Sequence, residues 1–113
     1  KYGGKAYNSY EALLADPEIE AVSVLTPNFT HAEISIAALK AGKHVLCEKP
    51  MAVSLADCEA MVETAKQTGN KLMIGQNQRL TPAHRKAREL IQSGTIGDVI
   101  TFPIFFICPS LFR

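Results

Sequence analysis

The sequence predicts an α/β domain built on a parallel sheet, and three observations predict it. Short apolar runs of strand length alternate with longer stretches of helical periodicity. Each step from one strand to the next leaves the dozen or more residues that a right-handed parallel crossover needs. The strand candidates are apolar almost throughout, which suits a sheet covered on both faces.

The elements follow in order. Ser9 is placed to cap a short helix, Tyr10 to Ala15, which Asp16-Pro17 closes. Ala21-Val22-Ser23-Val24-Leu25 reads as the first strand. Thr30, with Glu33 three residues on, has capping-box spacing and opens a helix whose apolar face is Ile34, Ala37, Ala38 and Ala41. Gly42 stands where a left-handed residue ends a helix. His44-Val45-Leu46-Cys47 is the second strand. Ser54 and Asp57 repeat the capping-box spacing. Leu55, Cys58, Met61, Val62 and Ala65 form the expected buried face of the next helix, and Gly69 ends it. Lys71 to Gly75 is the third strand. Thr81 caps a last helix with Pro82 at its first position. Ala83, Ala87, Leu90 and Ile91 are its expected inner face, and Gly94 closes it. A further strand is expected from Asp98 to Phe102, where Pro103 interrupts it.

Composition narrows the function classes. Of 113 residues, 47% are hydrophobic and 20% charged, a globular balance that argues against disorder. The net charge of +1 gives no electrostatic reason for a nucleic acid or membrane partner. No apolar run approaches the roughly 18 residues of a membrane span, and no signal peptide is visible. The chain opens on Lys1 without an initiator Met, so it is expected to be an internal piece of something longer, or a processed product. Cys47, Cys58 and Cys108 form no C-x-x-C pair or other metal spacing. Cys47 and Cys58 are expected as buried small hydrophobes, and a reducing cytoplasm is the default.

In an open α/β sheet, ligands bind beyond the carboxyl ends of the strands. The residues there are Thr26-Pro27-Asn28 with His31 after the first strand, Glu48-Lys49-Pro50 after the second, and Gln76-Asn77-Gln78-Arg79 after the third. In parallel strands the three clusters share one edge. Lys49 at the mouth of the sheet can donate to a reacting hydroxyl, and desolvation or a nearby cationic ring would bring its ammonium towards the working range. Its bland alternative is a solvated strand-end lysine. Glu48 either orients Lys49 or only pairs with it. His31 is either a capping or surface histidine or a ligand contact. Thr26 and Asn28 shape the turn or line a site. Asn77 and Arg79, before a helix N-terminus, suit an anion or amide ligand, and salt-bridging is the alternative for Arg79. His44 reads as structural, and His84, Arg85, Lys86 and Arg88 as a solvated basic face.

Three stretches carry a resemblance to a known family. They are Thr26-Pro27-Asn28 with His31, the block Ala41-Gly42-Lys43-His44-Val45-Leu46-Cys47-Glu48-Lys49-Pro50-Met51-Ala52, and Ile74-Gly75-Gln76-Asn77-Gln78-Arg79 with Pro82. Gly94-Thr95-Ile96-Gly97 adds to them. From about Tyr7 to Phe102 the chain resembles the glucose–fructose oxidoreductase / inositol dehydrogenase (Gfo/Idh/MocA) family. The resemblance implies a partial Rossmann-like domain and an oxidoreductase using NAD or NADP. It implies hydride transfer between nicotinamide and a secondary alcohol of a sugar, inositol or related polyol. It places Lys49 as the catalytic residue near the nicotinamide. Thr26, Pro27, Asn28, His31, Glu48, Lys49, Pro50, Asn77 and Arg79 are the implied cofactor contacts, and no metal is implied.

The chain departs from the family pattern in three places. The opening strand and its Gly-x-Gly-x-x-Gly turn are absent, since Gly3-Gly4 is not that motif. The substrate domain, which in the family supplies an aspartate and a histidine for proton transfer, is absent too. Residues 103–113 are apolar and unlike the family's first substrate-domain strand. Residues 1–97 are therefore expected to be the C-terminal part of a cofactor domain, and 98–113 a truncated or divergent start of a substrate domain. Two alternatives stand beside an incomplete, inactive piece of a dehydrogenase. One is a non-catalytic nucleotide-binding or partner-pairing module, with copies or partners joined through the open sheet edge. The other is a receiver-like signalling domain, against which the lack of aspartates at the strand ends counts.

Overall fold

A computed structural model describes residues 3–101. Cys108, the segment from Pro103 onward and the end of the expected strand at Phe102 lie outside them. The chain divides into two compact units, Lys1–Gln76 and Asn77–Arg113.

The first unit carries a three-stranded parallel sheet in the order β1 (Ala21–Val24), β2 (His44–Cys47), β3 (Leu72–Ile74). Its helices are α1 (Tyr10–Leu14), α2 (His31–Lys40) and α3 (Leu55–Thr68). The register pairs Val24 with Cys47 and Cys47 with Ile74, so the three strands end level at one edge. Val24, Val45 and Cys47 of the sheet are buried with Ala32, Ala38 and Leu39 of α2, Met61 of α3 and Leu14 of α1. Leu39 and Met61 are fully buried, which contributes about 1.5–3 kcal/mol each.

Several local signals act as read. Ser9 Oγ accepts the Ala12 amide at 3.2 Å, and Ser54 Oγ accepts the Asp57 amide at 3.1 Å. Gly42 and Gly69 take the left-handed φ of 79° and 71° beyond α2 and α3, where a side chain would be strained.

Others do not. Thr30 makes no capping bond to α2, because a 3-10 turn over Asn28–Thr30 already leads into the helix and its hydroxyl turns back onto that turn. The buried face of α2 is His31, Ala32, Ser35, Ala38 and Leu39, while Ala41 is exposed and Ile34 and Ala37 are half-buried. On α3 only Met61 and Thr64 are buried; Leu55 is 74% and Val62 42% exposed. Thr64 is accommodated because its hydroxyl donates to Ala60 O at 2.8 Å. Helices cover one face of the sheet among the described residues. The other face presents Leu46, 41% exposed, and Met73, 58% exposed, so the expected cover on both faces is half present.

Beyond α2, the buried Lys43 donates from Nζ to Asp16 O at 2.9 Å. The Asp16 carboxylate accepts Lys5 Nζ and Tyr7 Oη, both at 2.6 Å, and the Glu18 amide at 2.9 Å. These donors, Lys5 foremost, hold it well below the usual carboxylate range. Tyr10 of α1 donates to Glu33 of α2 at 3.1 Å, and that bond pushes its phenol up to about 12.

The second unit holds a 3-10 turn, Asn77–Leu80, and α4 (Pro82–Gln92). Thr81 precedes α4 without a capping bond; its Oγ1 donates to Gln78 O at 3.0 Å and lies 2.7 Å from His84 Nδ1. Thr81, His84, Ala87 and Leu90 are half-buried, whereas Ala83 and Ile91 are exposed, and His84 is therefore not on a fully solvated face. Gly94 ends the helix with φ 71°. Residues 98–101 form no strand. Among the described residues no helix is long and apolar enough to cross a membrane.

Candidate functional site

The level ends of β1 and β2 set two turns side by side. In the first turn, Thr26, Pro27 and Asn28 are exposed. Thr30 Oγ1 lies 2.7 Å from both Thr26 Oγ1 and Pro27 O, and the Thr30 amide donates to Pro27 O at 2.9 Å. The turn is thus closed on itself before α2 begins. Phe29 projects from it, 74% exposed.

In the second turn the Glu48 amide donates to Val24 O at 3.0 Å, carrying the β1–β2 ladder one residue past the strands. The Glu48 carboxylate then folds back. Oε2 accepts the Lys49 amide at 2.9 Å, and Oε1 lies 3.3 Å from where a Cβ on Gly75 would sit. Gly75 gives the carboxylate room, and its own amide donates to Cys47 O at 2.7 Å. Glu48 therefore grips the backbone of Lys49, and the ammonium has no partner among the described residues. The Lys49 side chain is exposed at the edge of the sheet, and the Lys49–Pro50 peptide is cis.

His31 joins the two turns. It is 1% exposed, with Nε2 2.9 Å from Thr26 O and Nδ1 2.7 Å from Pro50 O. This corrects the surface or capping reading, since the ring lies under the turns. Cys47, at the end of β2, is fully buried; burial pushes its thiol up, against a weaker pull from the Ser35 hydroxyl beside it. A thiol held in that direction is a packing group, as read from the sequence.

The first unit thus brings together Thr26, Pro27, Asn28, His31, Glu48, Lys49 and Pro50. Asn77 and Arg79 lie in the 3-10 turn Asn77–Leu80 of the second unit. Three residues at the strand ends escaped the list of candidates. Thr30 closes the first turn, Phe29 offers an exposed aromatic face, and Gly75 makes space for Glu48. An aromatic in a turn of polar residues, and a glycine directly after a strand, were the available signals.

Residues 1–76 match the model of an oxidoreductase family with an NAD-binding Rossmann fold, GFO_IDH_MocA. The 1,5-anhydro-D-fructose reductase of Ensifer adhaerens is 44% identical over 102 residues, covering 90% of this chain and 31% of that protein. The myo-inositol 2-dehydrogenase of Thermotoga maritima is 42% identical over 93 residues, covering 82% of this chain and 28% of that protein. The crystal structure of an NAD-binding protein from Listeria innocua superposes with a TM-score of 0.76 at 42% identity, covering 83% of this chain and 27% of that one. The chain spans less than a third of the length of these relatives.

Proposed function

We propose, for a chain that belongs to the Gfo/Idh/MocA family of NAD-binding oxidoreductases, that it supplies the lysine-bearing edge of a dehydrogenase site. The substrate class is a sugar, inositol or related polyol. The carrying observation is Lys49 itself, exposed at the strand edge while Glu48 holds its backbone. Residues 1–97 are read as the C-terminal part of the cofactor domain and 98–113 as the start of a substrate domain.

The donors present fit one end of a dinucleotide. Lys49 and Asn28 offer hydrogen-bond donors on the exposed edge, and Phe29, next to Asn28 in the chain, offers a flat apolar surface. No glycine-rich turn in this sequence can cradle a pyrophosphate. The residues of the first unit that would hold the nicotinamide end are Thr26, Pro27, Asn28, Glu48, Lys49 and Pro50. NAD or NADP, when bound, supplies the hydride acceptor. The chain's own part is placement and proton handling. Lys49 orients the substrate hydroxyl by donating from its ammonium to the oxygen; in the oxidation direction, a Lys49 that has first given a proton to solvent takes up the hydroxyl proton as the alcohol becomes a carbonyl. The reading sets the work in the cytoplasm, where Cys47 and Cys58 stay reduced.

The test uses the product of the reading frame that encodes this chain. Titration with NADH and NADPH, followed by a screen of polyols and aldoses in the presence of NAD+ or NADP+, is expected to give binding and cofactor reduction. In the same protein, Lys49→Ala should lower turnover by about two to four orders of magnitude with the fold unchanged. An unchanged rate removes Lys49 from its role, and no binding of either cofactor defeats the reading as a whole.

A further inference from the structure

The buried His31 imidazole has a backbone carbonyl oxygen at each of its two ring nitrogens. Nε2 of His31 faces Thr26 O at 2.9 Å and Nδ1 faces Pro50 O at 2.7 Å, with the side chain 1% exposed. Both partners can only accept, so the ring has to act as the donor. A neutral ring donates to one of them and a cationic ring to both. The two carbonyls belong to different turns, one after β1 and one after β2, and the second directly follows Lys49. Glu48 fixes Lys49 from its N-terminal side through the 2.9 Å bond to the Lys49 amide. Pro50 O is the corresponding hold on the other side.

We propose that His31 is a positioning residue: its imidazole ties the turn after β1 to the turn after β2 and so sets where Lys49 stands. The role rests on the reading of Lys49 as the reactive group, and it gives His31 a task other than contact with the cofactor. α2 delivers the ring because His31 is its first residue, directly beyond a 3-10 turn closed by Thr30. The titratable groups on the joined elements are His44, Cys47, Glu48 and Lys49 on the β2 side and Glu33 and Lys40 on α2, with Asp57 at the start of α3. Glu33 is engaged by Tyr10 and Asp57 by Ser54. Residues 25–30 contain none.

Backbone amide spectra of the full chain test the proposal, with wild type compared to His31→Phe and His31→Gln. Phe keeps an aromatic ring and removes both ring nitrogens. The amides of Asn28, Lys49 and Met51 are expected to shift, and the hydrogen-bonded amides of Thr30 and Lys49 to exchange about tenfold faster, while those of Val45 and Cys47 in β2 keep their protection. Gln, which retains a donor, should restore part of the loss. Unchanged turn amides in His31→Phe overturn the proposal, as does an equal loss of protection throughout β2, which marks a core residue and nothing more. If His31→Phe fails to fold, His31→Leu, which has no donor, decides: turn amides identical to wild type overturn the tie, and a selective shift at Lys49 and Asn28 upholds it. Titrating NADH into the protein used for the activity assay keeps the two readings apart. No response there defeats the dehydrogenase reading, whereas the amide result is read without cofactor.

Discussion

Helices α2 and α3 flank the same sheet but are held very differently. α2 has 10 residues and buries five of them; α3 has 14 and buries two. α2 packs on β1 and β2 and also meets α1 and α3, whereas α3 leans on α2 and the β3 edge. Neighbours, and not the apolar content of the helix, decide burial: α2 hides His31 and Ser35, while α3 leaves Leu55 and Val62 in the open. The helix enclosed on most sides is also the one that carries a ring into the candidate site. Enclosure is what lets a polar side chain be held by fixed backbone partners without competition from water.

The sharpest way to break this comparison is truncation at the centre of α2. Leu39 is fully buried among the sheet, α2 and α3 residues of the core. Leu39→Ala is expected to cost about 3 kcal/mol by lost transfer and cavity energy. Urea denaturation of the pair of proteins measures it. A cost below about 1 kcal/mol would mean that α2 can collapse into the gap and is not enclosed as described.

A smaller effect is expected where the chain beyond α2 is anchored. Lys43 reaches the Asp16 carbonyl, and the Asp16 carboxylate gathers Lys5, Tyr7 and the Glu18 amide. These bonds lower the folded-state pKa of Asp16 below its unfolded value of about 3.9. A depressed carboxyl adds stability above the unfolded value, and that part is lost as pH falls from about 4 towards the folded value. Thermal melts between neutral pH and about pH 2 should therefore show an acid limb that Asp16→Asn makes shallower. An unchanged limb would show that the cluster adds nothing.

The parts legible in the sequence were those that local chemistry decides. Ser54 and Gly69 bound α3 because a cap hydroxyl and a left-handed glycine act within one turn of chain. The strand-end positions of Thr26, Asn28 and Lys49 followed from topology alone, since parallel strands of similar length end together. What stayed hidden depends on distant partners. The capping reading of Thr30 failed because the preceding residues already form a 3-10 turn. Ala41 and Leu55 read as core by periodicity, but periodicity reports which face is apolar and not whether anything covers it. The place of His31 is set by Pro50, nineteen residues further on, and no local pattern records that carbonyl. Gly75 is explained by a Glu48 side chain that only the folded turn brings near it.

Ser35 gives a finer test of enclosure, and one with the opposite sign. Its hydroxyl is fully buried on α2 and finds no hydrogen-bond partner among the described residues. A hydroxyl without a partner has lost its water and gained little in return. Ser35→Ala is expected to stabilise the protein by up to about 1 kcal/mol, because the alanine methyl leaves little void. Differential scanning calorimetry would register a raised Tm. A clear loss of stability would mean that the neighbouring Cys47 thiol serves as the hydroxyl's hydrogen-bond partner.

The smallest effect belongs to α3. Val62 is 42% exposed on a side of the helix where Leu55 is 74% exposed. Removing its two outer methyl groups takes little from the core, and alanine has the better helix propensity, so the two contributions oppose each other. Val62→Ala should change stability by no more than about 0.5 kcal/mol in either direction. If instead it costs as much as truncation in the centre of α2, measured under the same denaturant conditions, then the outer face of α3 is covered in solution. The contrast between the two helices would then reflect which neighbours are present and not how the helices themselves are built.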